Sequence, residues 1–382
     1  MKHDFIIAGG GIAGLTAAIA LQKEGYDVKV FERAQELKKV GAGLGLGANA
    51  WKGLTYLGVT DELRQKCHVI KRTQFLDPNG QLLSKLNMER LNKKYGVAYF
   101  TVHRAQLQQS LLQHIVPGTL ELGAKVVHVE QNETGVKVSL ENGGTVEGKA
   151  LIAADGIHSI VRKICLPNSM PRYAGYTCWR AVVKVPEDKY RAGEFIETWG
   201  PKGRFGIVPL NGHQIYWYAC VNAPFGSKEL SRFTTHDLYL LFRNYHSPIP
   251  EMIQWTKDED LIWTDILDLK PLKQFAFKRV LLIGDAAHAT TPNLGQGAGQ
   301  AIEDSIVLNQ IIKKQRDIET AFVAFEKLRR PKSKKIINMS WRIGKAAQIA
   351  HPALISIRNA LLRLLPAQVL EKQVESAIKT NL

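Results

Sequence analysis

Several features that define other protein classes are scarce or absent in this sequence of 382 residues. No run of about 18 apolar residues occurs, so we expect no membrane-spanning helix and no stable membrane insertion. The N-terminal residues begin a strand pattern at once, without the apolar stretch and small-residue cleavage site of a secretory signal. The sequence therefore predicts a cytoplasmic protein.

Patterns typical of disulfide-rich and metal-binding proteins are also missing. The four cysteines, Cys67, Cys165, Cys178 and Cys220, are scattered and never form a C-x-x-C pair. This spacing argues against a disulfide framework and against a structural zinc site. No H-E-x-x-H segment occurs, and the histidines are dispersed. We expect reduced thiols and no metal ion.

Carboxylates are few relative to basic residues, since 35 Asp and Glu stand against 51 Lys and Arg, a net charge of +16. The excess is densest in helical segments near the C-terminus, around Lys313-Lys314, Arg329-Arg330, Lys332, Lys334-Lys335, Arg342 and Lys345. Because these charges alternate with apolar positions, they favour a solvated helix face. Attraction of anionic substrates and cofactors, or contact with an anionic membrane, is the alternative. No aromatic RNP box or paired Cys/His finger occurs, so no nucleic-acid partner is predicted.

The patterns that are present predict an α/β fold. A strand over 5–8, a helix over 12–23 and a strand over 28–31 imply parallel strands. Between about 172 and 270 aromatic residues become dense and the apolar pattern alternates, which is typical of an antiparallel sheet. We predict a discontinuous Rossmann-like nucleotide-binding domain with a mixed, mostly parallel sheet (1–171 and 271–345). Into it is inserted an antiparallel-sheet substrate domain (172–270), and C-terminal helices follow (346–382).

A dinucleotide-binding fingerprint stands at the first strand-to-helix junction. Gly9-Gly10-Gly11-Ile12-Ala13-Gly14 supplies G-x-G-x-x-G. In such a motif Gly9 permits the tight turn, Gly11 lets the backbone approach a pyrophosphate and Gly14 lets the helix pack closely on the sheet. The N–H groups of Ile12 and Ala13 should then face the phosphates. Glu32 follows the second strand, where a carboxylate can accept ribose hydroxyls.

Two later segments place an aspartate after a buried strand. Asp155-Gly156 follows the strand over 151–154, and Gly284-Asp285 follows the strand over 280–283. At the carboxyl end of a parallel strand, Asp285 should point into the ligand crevice. A Gly-rich loop and a helix come next, whose N–H groups should face an electron-rich part of the ligand. The candidate residues of this loop are Pro292, Gly295, Gln296, Gly297, Ala298 and Gly299.

In their order and separation these segments resemble the group A FAD-dependent monooxygenases, the family of para-hydroxybenzoate and salicylate hydroxylases, urate hydroxylase and zeaxanthin epoxidase. The resemblance covers nearly the whole chain. It implies non-covalent FAD, NAD(P)H as co-substrate and O2. A flavin C4a-hydroperoxide would then hydroxylate or epoxidise a small aromatic or unsaturated substrate. No second complete G-x-G-x-x-G follows a strand and precedes a helix, which fits one nucleotide domain that holds FAD.

The resemblance also assigns individual contacts to FAD. The Asp155-Gly156 segment matches one associated with both FAD and NAD(P)H, and Pro292 would lie against the isoalloxazine. Arg104, at a helix start, would contact the phosphate or ribose region, although a surface ion pair is the alternative. Within the Gly-rich segment 41–47, Gly45 would pass beneath the flavin. The adenosine contacts would be Arg33 and Val126.

The substrate prediction rests on one hairpin, which turns at Asn211-Gly212. Period-two alternation puts Arg204 on one face with Gly206 and Val208, and Tyr216 on one face of the partner strand with Tyr218. The pair resembles an arginine and a tyrosine that hold and activate substrate in urate hydroxylase. Arg204 would thus bind an anionic or carbonyl-bearing substrate, while Tyr216 would position it or a proton-transfer water. A solvent-facing arginine and a core tyrosine are the structural alternative.

Other functions stay open at this point. A flavin-dependent halogenase is disfavoured because no W-x-W-x-I-P segment occurs. A flavin oxidase or dehydrogenase without oxygen insertion is an enzymatic alternative, and a flavin-binding regulatory protein is a non-enzymatic one. The sequence does not choose between NADH and NADPH, between hydroxylation and epoxidation, or between monomer and homodimer.

Overall fold

The computed structural model describes residues 2–37, 42–97, 99–189, 192–315 and 317–380. Its first sheet has eight strands, ordered β17-β18-β11-β1-β2-β8, with β10 and β9 added at β11. The pairs β18–β11, β11–β1, β1–β2 and β2–β8 are parallel, as predicted for a Rossmann-like domain. These strands are β1 (Lys2–Ala8), β2 (Val28–Phe31), β8 (Leu120–Glu121), β9 (Val126–Asn132), β10 (Gly135–Leu140), β11 (Thr145–Ala153), β17 (Ala276–Phe277) and β18 (Val280–Leu282).

The second sheet has seven strands, ordered β16-β12-β15-β14-β13-β5-β6, and all its pairs except β13–β5 are antiparallel. Its central strand pair contains Cys178 and Cys220, which are free and stand opposite each other. The strands are β5 (Arg72–Leu76), β6 (Leu82–Asn87), β12 (Pro171–Lys184), β13 (Glu194–Gly200), β14 (Gly203–Pro209), β15 (Gln214–Asn222) and β16 (Ile262–Leu269). The antiparallel sheet expected from the aromatic-rich segment is therefore present.

This second sheet extends beyond the predicted segment 172–270. β5 and β6 lie at its edge, joined through the parallel pair β13–β5, although the sequence prediction assigned them to the nucleotide-binding domain. The helix over Ile318–Ala347 also crosses the predicted boundary at 345. The division of the chain into independently folding domains stays a prediction.

A small third sheet consists of β3 (Gly43–Gly47), β7 (Tyr99–His103) and β4 (His68–Val69), and its strands are interleaved in sequence with those of the other two sheets. The helices include α1 (Ile12–Gln22), α2 (Ala48–Leu57), α3 (Thr60–Arg64), α4 (Glu89–Tyr95), α5 (Arg104–Leu112), α6 (Ile160–Cys165), α7 (Thr235–Phe242) and α8 (Ile249–Gln254). They continue with α9 (Asp285–His288), α10 (Gly297–Ile312), α11 (Ile318–Ala347), α12 (Pro352–Leu364) and α13 (Ala367–Ile378). Short 3-10 turns lie at Glu187–Lys189, Leu230–Arg232, Asp258–Asp260 and Pro292–Leu294.

The first helix is buried on all sides rather than amphipathic. α1 is buried along ten of its residues, Ile12 to Leu21, because it packs between the parallel sheet and α10. Among the described residues, no single helix is both long and apolar enough to cross a membrane. α12 and α13 meet that length and composition requirement only as a pair, bent by 90°.

Candidate active site

The Gly-rich turn between β1 and α1 has the geometry that its sequence predicts. Gly9 has a φ of +105°. A Cβ on Gly9 would lie 2.4 Å from the carbonyl oxygen of Ala154, and one on Gly14 would lie 1.9 Å from the carbonyl oxygen of Gly9. In contrast, a Cβ on Gly11 would meet no atom within 4 Å. Gly9 and Gly14 are thus required by packing, whereas Gly11 borders open space.

The helix behind this turn leaves its first donors free. Ile12 and Ala13 begin α1, and the Gly11 N-cap has no side chain to accept from their turn. Because first-turn N–H groups have no partner within a helix, they attract anions such as phosphates. Among the described residues, the space beside Gly11 is therefore suited to a pyrophosphate.

Glu32 lies at the carboxyl end of β2, beside the turn. Its Oε2 accepts from the N–H of Gly10 at 2.7 Å and its Oε1 accepts from the N–H of Ala34 at 2.9 Å. Each carboxylate oxygen keeps a further lone pair for a ribose hydroxyl. The segment that enters β9 runs alongside, because the N–H of Ala124 donates to the carbonyl of Glu32. Val126, in that strand, is buried, and Arg33 follows Glu32 at the surface of the turn.

Asp155 has one oxygen occupied and one without a partner. Its Oδ2 accepts from the N–H groups of Ile160 and Val161 at the start of α6. Its buried Oδ1 has no hydrogen-bond partner among the described residues. Burial raises the pKa of Asp155, while the hydrogen bonds from the helix act against that rise. The carboxylate thus fixes the turn, and its second oxygen is buried without a partner among the described residues.

Asp285 begins α9 and is exposed to the crevice at the ends of the parallel strands. The surrounding protein raises its pKa by desolvation, while the nearby charges of His288 and Arg104 favour the ionised carboxylate. Arg104 is itself exposed at the first position of α5. The structure therefore directs Asp285 and Arg104, predicted from separate motifs, at the same space.

Gly45 and Gly295 meet around the hydroxyl of Tyr99. A Cβ on Gly45 would lie 1.9 Å from that oxygen, and a Cβ on Gly295 would lie 2.5 Å from it. Burial, and secondarily the charge of Glu197, raises the pKa of Tyr99 to about 12, so its hydroxyl stays protonated at neutral pH. Gly41, which begins the Gly-rich segment, lies outside the described residues. Sequence reasoning missed Tyr99, which carries no motif of its own.

The residues of the second Gly-rich loop differ in their exposure to solvent. Pro292 is exposed, and Gly297 and Ala298 are half-exposed at the start of α10. In contrast, the side chain of Gln296 is buried and accepts from Asn49 Nδ2 at 3.3 Å. A Cβ on Gly299 would lie 3.3 Å from the same amide nitrogen. Only the backbone of Gln296 and Gly299 is thus available to a ligand.

A buried ionic network lies behind this loop. Asp304 Oδ2 accepts from the N–H of Gly284 at 2.8 Å and lies 2.6 Å from His288 Nε2. Arg329 Nε donates to Asp304 Oδ1 at 2.6 Å, and Arg329 Nη1 donates to Glu303 Oε1 at 2.5 Å. Burial alone would raise the pKa of Asp304, but His288 and Arg329 hold it at about 2. His288 thus supports the Gly284-Asp285 turn and is not free to act as a base.

The network corrects one sequence interpretation. Arg329 and Lys332 were expected on a solvated helix face, yet Arg329 is 2% exposed. Lys332 Nζ donates to both carboxylate oxygens of Glu303, at 2.6 and 2.7 Å. The prediction was wrong for these two residues. The spacing of charges along one helix does not show that the neighbouring helix, α10, presents the buried carboxylates of Glu303 and Asp304.

Arg204 lies on β14 and is also 2% exposed. Its Nη1 donates to Glu197 Oε1 at 3.1 Å, and its Nη2 donates to the hydroxyl of Tyr176 at 3.2 Å and to Asn293 Oδ1. Its Nε has no partner among the described residues. Asn293 belongs to the loop after Gly284-Asp285, so this contact joins the two sheets at the site. The expectation of a solvent-facing arginine is therefore wrong.

Tyr216 and Tyr218 lie beside Arg204 on the partner strand. Tyr216 stands opposite Val208 and Tyr218 opposite Gly206, which confirms the predicted shared face. The two rings are 5.9 Å apart. Burial raises the pKa of Tyr216, so its phenol stays protonated and acts as a donor rather than as a base.

The site thus combines residues that sequence reasoning named and residues that it missed. The second group comprises Tyr99, Tyr176, Glu197 and Asn293, and the role of each is identified only by its neighbours in the fold. Among the residues that the structure describes, no three His, Cys, Asp or Glu side chains converge as a metal site requires.

Comparison with known proteins agrees with this geometry. Residues 2–317 match the family described as FAD binding domain. The chain is 36% identical to aurachin C monooxygenase/isomerase of Stigmatella aurantiaca, covering 99% of this chain and 97% of that protein. It is 31% identical to 2-heptyl-3-hydroxy-4(1H)-quinolone synthase of Pseudomonas aeruginosa, covering 94% of each.

Among solved structures, the fold is similar to that of Klebsiella pneumoniae HpxO complexed with FAD and uric acid. The TM-score is 0.92 at 27% identity, covering 98% of this chain and 96% of that chain. The family match extends over most of the sequence, and the similarity of fold extends over nearly all of it. The chain therefore belongs to the FAD binding domain family, as one of its group A flavin monooxygenases.

Proposed function

We propose that this FAD-dependent monooxygenase uses NAD(P)H and O2 to hydroxylate a small, neutral aromatic ring that carries a carbonyl group. The observation that carries the substrate class is the buried ion pair between Arg204 and Glu197. Because Glu197 already balances the guanidinium charge, an anion bound there would add uncompensated negative charge in a desolvated site. A carbonyl oxygen adds no net charge and would accept a hydrogen bond from the guanidinium, whose buried Nε has no partner among the described residues.

The proposal agrees with the names of the relatives. The product named for the Pseudomonas aeruginosa relative is a 4(1H)-quinolone with a ring hydroxyl, and the Klebsiella pneumoniae structure contains uric acid. Both names describe ring systems with carbonyl groups. A urate-like or salicylate-like anion is the second candidate, favoured by the net charge of +16, which attracts anions to the surface.

The described residues also fit FAD. Open space beside Gly11 and free N–H groups at α1 suit its pyrophosphate, and Glu32 suits its ribose. Asp285 and Arg104 face the crevice between that turn and the second Gly-rich loop. Bound flavin would supply the electron transfer and oxygen chemistry. We propose that Gly45, Pro292, Gly295 and the start of α10 line its ring system.

Within this site the chain's own residues orient the substrate and exclude water. Arg204 would hold the substrate carbonyl, and Tyr216 would donate its phenolic proton to a substrate oxygen or to a water. Tyr218 covers Gly206, where a Cβ would lie 2.1 Å from its Cζ, so the ring forms one wall of the site. These aromatic walls would protect reactive species from water.

A substrate screen tests the function. The FAD-loaded protein is mixed with NADH or NADPH and with 4-quinolones, uric acid or salicylate, while cofactor oxidation and product mass are followed. We expect 4-quinolones to stimulate oxidation most and to gain one oxygen atom from isotopically labelled O2. Stimulation with peroxide release and no labelled product would instead support a flavin oxidase or dehydrogenase. No stimulation by any ring compound would support a flavin-binding regulatory protein.

Gly11→Ala separates cofactor binding from folding. We expect FAD affinity to fall by about 100-fold, because a methyl group would occupy the position where the backbone must approach the pyrophosphate. Titration of FAD into the cofactor-free protein measures the affinity, and thermal unfolding measures stability. Since a Cβ on Gly11 meets no atom, the melting temperature of the cofactor-free protein should not change.

Gly14→Ala is the matched control for that experiment. Its Cβ would clash with the carbonyl of Gly9, so we expect it to destabilise the cofactor-free protein as well. Unchanged FAD affinity in Gly11→Ala would show that the pyrophosphate does not lie beside this glycine.

A further inference from the structure

The outer face of α12 is apolar although nothing in the described chain covers it. Leu354, Ile357, Leu361 and Leu364 are 52%, 57%, 63% and 79% exposed. Their spacing of three, four and three residues places them in one row along the helix. We propose that this face, here named the α12 surface, binds the surface of a bilayer that contains anionic lipid.

Two polar residues near the middle of α12 point inward, which is the reverse of an ordinary surface helix. Arg358 and Asn359 are 6% and 9% exposed. Arg358 donates to the carbonyls of Ala346 and Ala347 at the end of α11 and to Asn359 Oδ1. These bonds fix the rotation of the helix about its axis. The apolar row cannot turn inward without breaking these hydrogen bonds of Arg358.

α13 does not share the α12 surface. Its apolar residues Leu370, Val374 and Ile378 pack against the body of the protein, in a cluster with Ile70 and Leu86. The pair α12–α13 is bent by 90°. Of the two helices, α13 packs against the body of the protein. Helix α12 would lie on the bilayer with its apolar row among the headgroups and upper acyl chains. Such peripheral contact agrees with the expectation of no stable insertion.

Charge decides between a bilayer and a second copy of the chain. From Lys327 to Leu370 the sequence contains ten Lys and Arg and no Asp or Glu. Seven of the ten are exposed: Lys327, Arg330, Lys334, Lys335, Arg342, Lys345 and Arg363. Two copies meeting through this segment would bring like charges together, which opposes association. Anionic lipid attracts the same residues, each contributing to surface binding.

Vesicle flotation tests the proposal with the FAD-loaded full chain. Vesicles of phosphatidylcholine containing phosphatidylglycerol are compared with vesicles of phosphatidylcholine alone. We expect the protein to float with the anionic vesicles, less with the neutral ones, and less at high salt. The double variant Ile357→Glu/Leu361→Glu should lower binding to anionic vesicles by roughly ten-fold or more, because it removes the apolar insertion and adds repulsion. Both side chains are exposed, so the fold should not change.

Val116→Glu/Leu240→Glu is the matched control. These residues lie outside the basic segment from Lys327 to Leu370 and are 56% and 48% exposed, so the change in charge and the loss of exposed apolar area are similar. Vesicle binding close to that of the unmodified protein supports the α12 surface. Equal loss in both double variants, or no flotation of the unmodified protein, overturns the proposal. It is also overturned if sedimentation shows a dimer that Ile357→Glu/Leu361→Glu dissociates, because the face would then be a self-association surface.

Discussion

Arg204→Gln should reduce substrate-stimulated NAD(P)H oxidation by about 100-fold, since a charged hydrogen bond to the substrate contributes roughly 1.5–3 kcal/mol. The variant also leaves Glu197, which is 5% exposed, without its cation. Removing one partner of a buried pair costs about 3–5 kcal/mol of stability. FAD binding should persist, because Arg204 contacts the flavin loop only through Asn293. Steady-state oxidation rates, FAD content and urea unfolding measure the three quantities.

Two further variants separate activity from stability. In Arg204→Gln/Glu197→Gln both charges are removed, so we expect stability to recover while activity stays low. Arg172→Gln removes the cation paired with a different buried carboxylate, since Arg172 donates to Asp268 through two bonds of 2.9 and 2.8 Å. It should lower stability and leave the oxidation rate of the folded protein unchanged. Retained stimulation in Arg204→Gln would remove this arginine from the substrate site.

Local sequence was enough to predict the geometry of the Gly-rich turn between β1 and α1. Gly9, Gly11 and Gly14 act through backbone geometry that depends on a turn of six residues, and the structure shows that geometry. The face shared by Arg204 and Gly206 also follows from strand alternation alone. Such features can be predicted from the sequence because the interacting atoms belong to residues that are close in sequence.

The partners of Arg204 could not be predicted from local sequence. Glu197 comes from β13, Tyr176 from β12 and Asn293 from the loop after α9, and only the folded arrangement brings them to one guanidinium. The place of β5 and β6 in the second sheet was not predicted for the same reason, because β5 pairs with β13 more than a hundred residues later. Non-local pairing leaves no periodic signal in either segment.

Arg329→Met should destabilise the protein by about 3–5 kcal/mol, because Asp304 and Glu303 would lose their shared buried cation. Equilibrium unfolding in urea measures this loss. Arg330→Met is the matched control, since Arg330 is the next residue but is exposed. Surface substitutions of this kind usually change stability by less than about 0.5 kcal/mol. Equal effects of the two variants would contradict a structural role for the network.

The network also predicts how the effect depends on pH. The folded pKa of Asp304 is lowered to about 2, so its ionised form contributes stability above the ordinary aspartate pKa. This contribution is lost as pH falls through the folded value. Without Arg329 the pKa of Asp304 should rise, and acid unfolding should therefore begin at higher pH than in the unmodified protein. Asp304 also accepts from the N–H of Gly284, which precedes Asp285. Arg329→Met should therefore release FAD over the same pH range in which it unfolds. The control Arg330→Met should keep FAD to lower pH.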